Sequence, residues 1–313
     1  MKVQSLSISV PTNNKCVNSC EFCVSRTHTN PYPDNVSKCL IPVEQPRLAN
    51  IVDNGKFYMI DEKTIEYKDY FNRLQFARDN GCNVVILTGT GEPTQNFPFL
   101  QFFSIVNSKL TTPFKSVEIQ STGVLLDDPR LILLRELGIT TISLSISNVF
   151  DNERNLNIIN VHKKLRFELV DIIALIKKYD FNLRLSLNLI SDYDEFSVKS
   201  VLNKCKEYGA DQVTFRKLYM SNSYSKIDKW IEENDSVEFY SKLDKYVKAS
   251  GVYLGKLPFG ALMYDIDEMS IVIDDNCMAE IKENENIDHY KYLILRENCK
   301  LYFTWNSKAS LLF

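Results

Sequence analysis

The chain has 313 residues, 44% of them hydrophobic, and a formal net charge of −3. That length and composition are enough to bury a large core without disulfide bonds or a structural metal. The slightly acidic balance argues against a nucleic-acid or membrane-surface partner. The first residues lack the apolar segment of a signal peptide, and no run is long enough to span a bilayer, so we expect a cytoplasmic protein.

Six short runs of β-branched and apolar residues, each bounded by polar or turn residues, predict strands. They lie at 5–11, 83–89, 116–122, 141–147, 183–190 and 211–218. Amphipathic stretches, several ending in Gly, predict helices at 67–81, 98–110, 128–138, 164–180, 195–209 and 236–251. Repeated strand–helix units favour an α/β fold with a parallel sheet, here a partial (β/α)6 barrel of the TIM type; a doubly wound sheet is the alternative.

Two segments interrupt this alternation. Residues 29–63 are longer than an ordinary connection, and the Asn-Gly pair at 54–55 predicts a hairpin within a folded insertion. From about residue 251 the helical pattern stops, and runs at 252–257, 269–274, 290–295 and 300–305 predict short strands in a meander. We therefore expect a core over 1–250 and a β-rich C-terminal extension over 251–313 that packs on the barrel.

Three cysteines, Cys16, Cys20 and Cys23, lie within eight positions in the sequence CVNSCEFC, after the first predicted strand. A structural zinc site needs a fourth ligand, and no second pair of Cys or His occurs at the spacing typical of zinc sites. Three thiolates match the ligand set of a [4Fe-4S] cluster that leaves one iron open to a small molecule.

The remaining cysteines are scattered along the chain, at Cys39, Cys82, Cys205, Cys277 and Cys299. They are too dispersed to predict a second cluster, and we expect the last four to pack as small hydrophobic side chains. His28 follows the cysteine loop; we expect a surface histidine, and an acid–base role at the mouth of a cavity is the alternative.

The cysteine loop resembles the hallmark Cys-x3-Cys-x-aromatic-Cys sequence of the radical S-adenosylmethionine (radical SAM) superfamily, with Phe22 at the aromatic position. The segment LTGTGEPT, at the end of the second predicted strand, resembles the Gly-Gly-Glu-Pro motif of the same family. The four matching positions are Thr90, Gly91, Glu92 and Pro93. Thr90 departs from the first Gly, and an ordinary strand-to-helix turn opened by Pro is the alternative.

The resemblance implies that the three cysteines hold a [4Fe-4S] cluster whose open iron chelates S-adenosylmethionine (SAM). Reductive cleavage of SAM then yields a 5'-deoxyadenosyl radical, which abstracts a hydrogen atom from a substrate. By the same resemblance Phe22 lies near the adenine, and residues 90–93 hold the methionine part of SAM. Polar residues at later strand ends contact its ribose or carboxylate; the candidates are Ser121, Thr122, Ser145, Asn188 and Arg216.

All of these candidates follow or end a predicted strand, and barrels of this kind build their active sites at the C-terminal strand ends. Turn or capping roles for the serines, and a structural ion pair for Arg216, are the alternatives. The family implies an electron donor such as flavodoxin or ferredoxin. A small-molecule or peptide substrate is expected, and no acid, base or hydrogen donor is assigned. The rival from another class is a non-catalytic iron- or zinc-binding regulatory protein.

Overall fold

A computed structural model of the chain describes residues 2–12, 16–27, 67–221, 223, 225–256, 262–274, 289–305 and 307–313. The hairpin predicted within 29–63 lies outside these residues, as do His28, Cys39 and Cys277. Over the described ranges, every helix is too short or too polar to cross a bilayer.

Six strands follow one another in chain order and pair in the same order, each parallel to its neighbour. They are β1 (Lys2–Ser9), β2 (Val84–Thr88), β3 (Ser116–Ser121), β4 (Thr141–Ile146), β5 (Asn182–Asn188) and β6 (Gln212–Arg216). Helices connect them, as parallel strands require. The partial (β/α)6 barrel expected from the alternation of strands and helices is confirmed.

The predicted helices form with slightly shorter bounds, and three further helices occur. The helices are α1 (Val24–Thr27), α2 (Tyr67–Asp79), α3 (Phe97–Ser108), α4 (Asp128–Glu136), α5 (Asn152–Ile158), α6 (Leu169–Lys178), α7 (Val198–Glu207), α8 (Lys226–Asn234) and α9 (Glu238–Ser250). Of these, α1, α5 and α8 were not predicted from the sequence. Helix α6 starts later than the predicted 164 because residues 163–165 form a 3-10 turn and Arg166 is extended.

The C-terminal region adds five strands to the same sheet. They are β7 (Val252–Lys256), β8 (Leu262–Ile266), β9 (Met269–Asp274), β10 (His289–Leu295) and β11 (Leu301–Tyr302). The prediction of a single meander is wrong: β7, β8 and β9 form a meander beside β6, whereas β10 and β11 join the opposite edge beside β1. Strand β8 was not predicted.

Eight parallel strands therefore lie side by side, in the order β10, β1 to β6, β9. Their inner side chains line a cavity of about 170 Å³, to which both flanking strands contribute. Across it, Nζ of Lys291 on β10 lies 2.9 Å from Oδ1 of Asp274 on β9, and both side chains are buried. Burial lowers the pKa of Lys291, but Tyr292 and Asp274 outweigh it and the pKa is raised.

The outer face of the sheet packs against the helices and forms the main hydrophobic core. Strand side chains such as Leu6, Ile8 and Leu87 are fully buried there, and each large apolar side chain contributes roughly 1.5–3 kcal/mol on burial. Cys82 and Cys205 are also fully buried, which confirms their predicted packing role. This packing fixes the C-terminal ends of β1 to β6 at one end of the barrel.

Candidate active site

The three clustered cysteines lie on the loop after β1, at the C-terminal end of the strands. None of the three is in a disulfide, and each is half-buried. The loop turns tightly at its end, where the backbone N–H of Cys23 donates to the carbonyl of Cys20 (3.2 Å). The guanidinium of Arg26 donates to the carbonyls of Ser19 (3.3 Å) and Cys20. The backbone of the loop is thus fixed by hydrogen bonds, whereas its three thiols are not in disulfide bonds.

Neighbouring elements hold the cysteine loop in place. The backbone N–H of Val17 donates to Oε1 of Gln95 (2.9 Å), in the 3-10 turn after β2. On the other side, Nδ2 of Asn160 donates to Oγ of Ser19 (2.7 Å). The N–H of Glu21 donates to the carbonyl of Ile158 (3.0 Å), at the end of α5. The cysteine loop is therefore hydrogen-bonded both to the turn after β2 and to the end of α5.

The thiols of Cys16 and Cys20 have raised pKa values. For Cys16, burial raises the pKa, a hydrogen bond from the Asn18 backbone lowers it, and the negative charges of Glu92 and Cys23 raise it further. For Cys20, burial is again the main cause, and the neighbouring Cys23 and Cys16 add to it. A cationic group beside these thiols would favour their thiolate forms.

Glu92, in the Gly-Gly-Glu-Pro-like segment, is buried and is fully engaged within the protein. Its Oε1 accepts from the hydroxyl of Thr94 (2.8 Å), and its Oε2 accepts from the backbone N–H (2.9 Å) and hydroxyl (3.0 Å) of Thr122. The Thr122 hydroxyl also accepts from Nδ2 of Asn18 (2.7 Å). The carboxylate thus ties the β2 loop to the end of β3 and, through Thr122, to the cysteine loop.

The glycines of the β2 loop permit close approach to the end of β1. A Cβ atom added at Gly89 would lie 2.7 Å from the carbonyl oxygen of Val10, and one added at Gly91 would lie 2.7 Å from Oγ1 of Thr12. Both distances are shorter than a Cβ atom normally makes, and at Gly89 the neighbouring atom belongs to the backbone. Thr90 between them is exposed, and Pro93 is buried at the start of the 3-10 turn. Glycine is needed here so that the β2 loop can pack against the end of β1. The sequence pattern did not distinguish this packing role from contact with a ligand.

The predicted residues on later strands lie in three places. Asn188, at the end of β5, donates from Nδ2 to the Ser145 hydroxyl (3.2 Å), the Ser147 hydroxyl (3.4 Å) and the Ile146 carbonyl (3.4 Å). Arg216, at the end of β6, lines the barrel cavity instead. Ser121 is buried at the end of β3, where its hydroxyl accepts from the N–H of Gly123 (3.0 Å). The structure therefore groups Ser145 with Asn188, and the β3 residues with the cysteine loop.

Phe22 is half-buried and packs against α8, the helix that follows β6. Its ring centroid lies 6.3 Å from that of Trp230 on α8. Helix α8 begins with a capping box between Ser225 and Asp228. The Asp228 carboxylate also accepts hydrogen bonds from the backbone N–H and hydroxyl groups of Ser221 and Ser223. Phe22 and Trp230 thus form an aromatic wall beside the cysteine loop. The Asp228 carboxylate fixes the start of α8, the helix that carries Trp230.

Sequence reasoning missed several residues of this region: Asn18, Ser25, Gln95, Asn160, Trp230 and Glu297. Ser25 lies between the cysteine loop and the β2 loop, with Oγ 3.0 Å from Sγ of Cys23 and donating to the carbonyl of Thr90 (3.3 Å). The Asn and Gln side chains were detectable as polar residues next to the two motifs. Trp230 and Glu297 come from distant parts of the chain, and no local signal marks them.

The donor set fits an iron–sulfur cluster that uses three protein ligands. All three thiols lie on one loop, the charges of Cys23 and Cys16 raise the pKa of Cys20, and thiolates are the ligands that such clusters take. Within the described ranges, however, no three His, Cys, Asp or Glu side chains are already gathered as metal ligands. Binding would therefore draw the sulfur atoms closer together, as expected when metal binding and local ordering are coupled.

The sequence matches the model of one protein family, the radical SAM superfamily, over residues 10–195. The match begins at the end of β1 and ends just after β5, so it includes the cysteine loop, the β2 loop and the ends of β3 to β5. It does not extend to residues 251–313. No curated protein matches the chain.

Several solved structures share the fold at low sequence identity. SuiB from Streptococcus suis bound to the precursor peptide SuiA has 15% identity and a TM-score of 0.54, covering 96% of this chain and 59% of that one. HemN, a coproporphyrinogen III oxidase and radical SAM enzyme from Escherichia coli, has 10% identity and a TM-score of 0.51, covering 88% and 63%. The protein anSMEcpe with bound AdoMet and the Kp18Cys peptide has 14% identity and a TM-score of 0.51, covering 99% of this chain and 77% of that one. The chain thus spans about 60% of the length of SuiB.

Proposed function

Because the chain belongs to the radical SAM superfamily, we propose that Cys16, Cys20 and Cys23 hold a [4Fe-4S] cluster beside a SAM site on the β2 loop. Membership in this superfamily makes the chain an enzyme, and its cofactors are a [4Fe-4S] cluster and SAM. When bound, these cofactors supply a 5'-deoxyadenosyl radical, made by reductive cleavage of SAM, that abstracts a hydrogen atom from a substrate. The assignment of the ligands rests on one observation. The three thiols lie on a loop that is hydrogen-bonded to the ends of β2 and β3.

Residues of the β2 loop would bind the methionine part of SAM chiefly through their backbone. Thr90, Gly91 and Pro93 follow the C-terminal end of β2, where exposed peptide groups are suited to a zwitterion. Glu92 supports this site indirectly, because its carboxylate is used to join the loop to Thr122. Ser121 and Thr122 complete the same junction at the end of β3.

The nucleoside part of SAM would lie between the aromatic wall and the ends of β4 and β5. Phe22, backed by Trp230, offers an apolar face for adenine. Asn188 and Ser145 form a hydrogen-bonded pair that suits ribose hydroxyls. Arg216 lines the barrel cavity at the end of β6, and a guanidinium is always charged in proteins. We assign it to a carboxylate of SAM or of the substrate.

The substrate is proposed to be a peptide or a small molecule. SuiB is described with a precursor peptide and anSMEcpe with a peptide, whereas HemN is named for coproporphyrinogen III. The net charge of −3 favours neither class. Reduction of the cluster requires an electron donor, for which we propose flavodoxin or ferredoxin.

The test is anaerobic reconstitution with iron and sulfide, followed by incubation with SAM and a strong reductant. We expect the wild type to take up a [4Fe-4S] cluster, seen by absorption and electron paramagnetic resonance, and to form 5'-deoxyadenosine. The triple variant C16A/C20A/C23A should take up no cluster and form none. Cys205→Ala, which removes a buried thiol on α7, is the matched control and should behave as the wild type.

Two results would count against the proposal. The first is an intact cluster in the wild type with no 5'-deoxyadenosine at saturating SAM. The second is equal 5'-deoxyadenosine formation by the wild type and the triple variant.

A further inference from the structure

Three consecutive basic residues lie on the surface just after α5. His162 caps a short 3-10 turn that begins with Lys163 and Lys164, and all three side chains are exposed. We call these three residues the basic turn. Neither lysine makes an ion pair with any described residue, whereas Arg166, which follows shortly after, pairs with Glu153 (2.5 Å). The basic turn therefore presents two positive charges to the solvent.

Hydrogen bonds fix the segment before the basic turn against the cysteine loop. Nδ2 of Asn160 donates to Oγ of Ser19 (2.7 Å), and the N–H of Glu21 donates to the carbonyl of Ile158 (3.0 Å). The carbonyl of Ser19 in turn accepts from the guanidinium of Arg26 (3.3 Å), which is exposed. Ser19 therefore contacts both the segment that leads into the basic turn and a further surface cation.

A small hydrophobic cluster, separate from the main core, lies between the basic turn and Cys20. We call it the Val161 cluster; its buried members are Val124, Leu156, Ile159 and Val161. Cys20 packs against this cluster, and so does Leu165, which belongs to the same 3-10 turn as the two lysines and is half-buried. The Val161 cluster therefore connects a proposed iron ligand with the surface of the basic turn. Because electron transfer slows steeply with distance, a short connection of this kind suits the entry of an electron.

The charge of this surface differs in sign from that of the whole chain. The chain carries a net charge of −3. Around the cysteine loop, the two lysines and Arg26 outnumber the neighbouring carboxylates Glu21 and Glu168. Complementary charge orients short-lived encounters between proteins, and complexes that transfer electrons are typically small and transient. An acidic partner is therefore attracted to this surface, although the chain as a whole is acidic.

We propose that the basic turn is the docking surface of a small acidic electron-transfer protein; this rests on the proposed function. The reduced redox group of the partner would lie over the basic turn, beside the Val161 cluster. One electron passes from that group to the [4Fe-4S] cluster, so the partner is oxidised by one electron and the [4Fe-4S] cluster is reduced by one. No covalent bond forms or breaks in this step.

The test compares two electron donors of opposite charge, a reduced flavodoxin, which is an acidic protein, and reduced methyl viologen, which is a small cation. Reduction of the reconstituted protein is followed by stopped-flow absorption. For Lys163→Glu/Lys164→Glu we expect the second-order rate constant with flavodoxin to fall about tenfold or more at low salt. The rate with methyl viologen should not fall. High salt should bring the flavodoxin rate of the wild type close to that of the variant, because salt screens the attraction.

Binding is measured separately from electron transfer, by calorimetry with oxidised flavodoxin. The affinity should fall in Lys163→Glu/Lys164→Glu together with the rate. Lys109→Glu/Lys115→Glu is the matched control, because it changes the net charge equally at two exposed lysines near the opposite end of the barrel, after α3 and before β3. It should leave the affinity and both rates within about twofold of the wild type.

The two donors also separate this inference from the proposed function. A wild type with an intact [4Fe-4S] cluster that forms no 5'-deoxyadenosine with methyl viologen and SAM overturns the proposed function. Turnover with methyl viologen, together with equal flavodoxin rates in the wild type and Lys163→Glu/Lys164→Glu, overturns the docking surface. Failure of flavodoxin to reduce the wild type overturns it too, as does an equal loss of rate in the control variant.

Discussion

Thr122 joins three parts of the candidate site through one side chain. Its hydroxyl donates to Oε2 of Glu92 and accepts from Nδ2 of Asn18. Removing it leaves the buried amide of Asn18 without this partner, at a cost of about 1–3 kcal/mol. We therefore expect Thr122→Val to lower the free energy of unfolding by that amount, measured by urea denaturation, and to reduce the iron bound per chain after reconstitution.

Thr122→Ser is the control, because it keeps the hydroxyl and removes only a methyl group. It should bind as much iron as the wild type. Full iron content in Thr122→Val would mean that the contact with Asn18 does not hold the cysteine loop.

At the scale of residues, the sequence predicted three candidate cluster ligands, which stay a prediction, but it did not predict how the loop that carries them is held. Three cysteines at fixed spacing have few chemical uses, so Cys16, Cys20 and Cys23 were recognisable directly. Glu92 belongs to a motif, yet its buried hydrogen bonds to Thr122 depend on tertiary contacts. Glu297 lies 288 positions from Ser9, its hydrogen-bond partner. Only the pairing of β10 with β1 brings these two together, and a strand pattern does not specify its partner.

At the scale of elements, the loop between β6 and α8 is organised by Asp228. Burial of Asp228 raises its pKa, but hydrogen bonds from Ser221, Ser225 and Ser223 outweigh it and hold the pKa well below its usual value. A depressed pKa stabilises the folded state above the unfolded pKa of about 4, and that contribution is lost as the pH falls through the folded value. The loop should therefore keep its structure from pH 7 to about pH 4.

We expect Asp228→Asn to loosen this loop and expose Trp230, since the amide replaces one acceptor oxygen with a donor. The measurement is the fluorescence emission of Trp230 in a Trp305→Phe background, because the chain has 2 tryptophans. The emission should shift to longer wavelength in Asp228→Asn and stay constant in the parent between pH 7 and about pH 4.

Asp244→Asn, which alters an exposed ion pair with Lys248 on α9, is the control and should leave the emission unchanged. An unshifted emission in Asp228→Asn would show that Trp230 is held against Phe22 by packing alone. Helix α8 was not predicted from the sequence because it is short and its apolar residues are few; its capping box is the signal that was overlooked.

At the scale of the whole molecule, the Lys291–Asp274 ion pair links the two ends of the row of eight parallel strands. Breaking a buried pair by removing one partner costs about 3–5 kcal/mol, whereas removing both charges costs less. We expect Lys291→Met to lower the free energy of unfolding by that amount and Lys291→Met/Asp274→Asn to lie closer to the wild type. Urea denaturation of the four proteins in a double-mutant cycle measures the coupling.

The pH dependence follows from the raised pKa of Lys291. A raised pKa contributes stability that is fully present below the unfolded value of about 10.4 and is lost as the pH rises through the folded value. The difference between the wild type and the double variant should therefore be constant near neutrality and decrease only in strongly alkaline solution. Strictly additive effects of Lys291→Met and Asp274→Asn would mean that the two charges do not stabilise each other.

The six-unit barrel was predictable because each strand–helix unit has its own period and turn signals. The places of β9 and β10 were not, since two strands of similar composition join opposite edges of the sheet. The division into a core over 1–250 and an extension over 251–313 stays a prediction. Strands β9 and β10 of this extension complete the row of parallel strands, and the turn after β10 carries Glu297.

The pairing of β1 with β10 has a consequence for the order of folding. The hydroxyl of Ser5 donates to the carbonyl of Lys291, 286 residues away. Contacts so distant in sequence form late, because the entropy of closing the intervening chain is lost before the contact is gained. Until β10 arrives, the outer edge of β1 offers unpaired N–H and C=O groups between buried apolar side chains. That interval is when a second chain competes for the edge, so aggregation during refolding should rise with protein concentration.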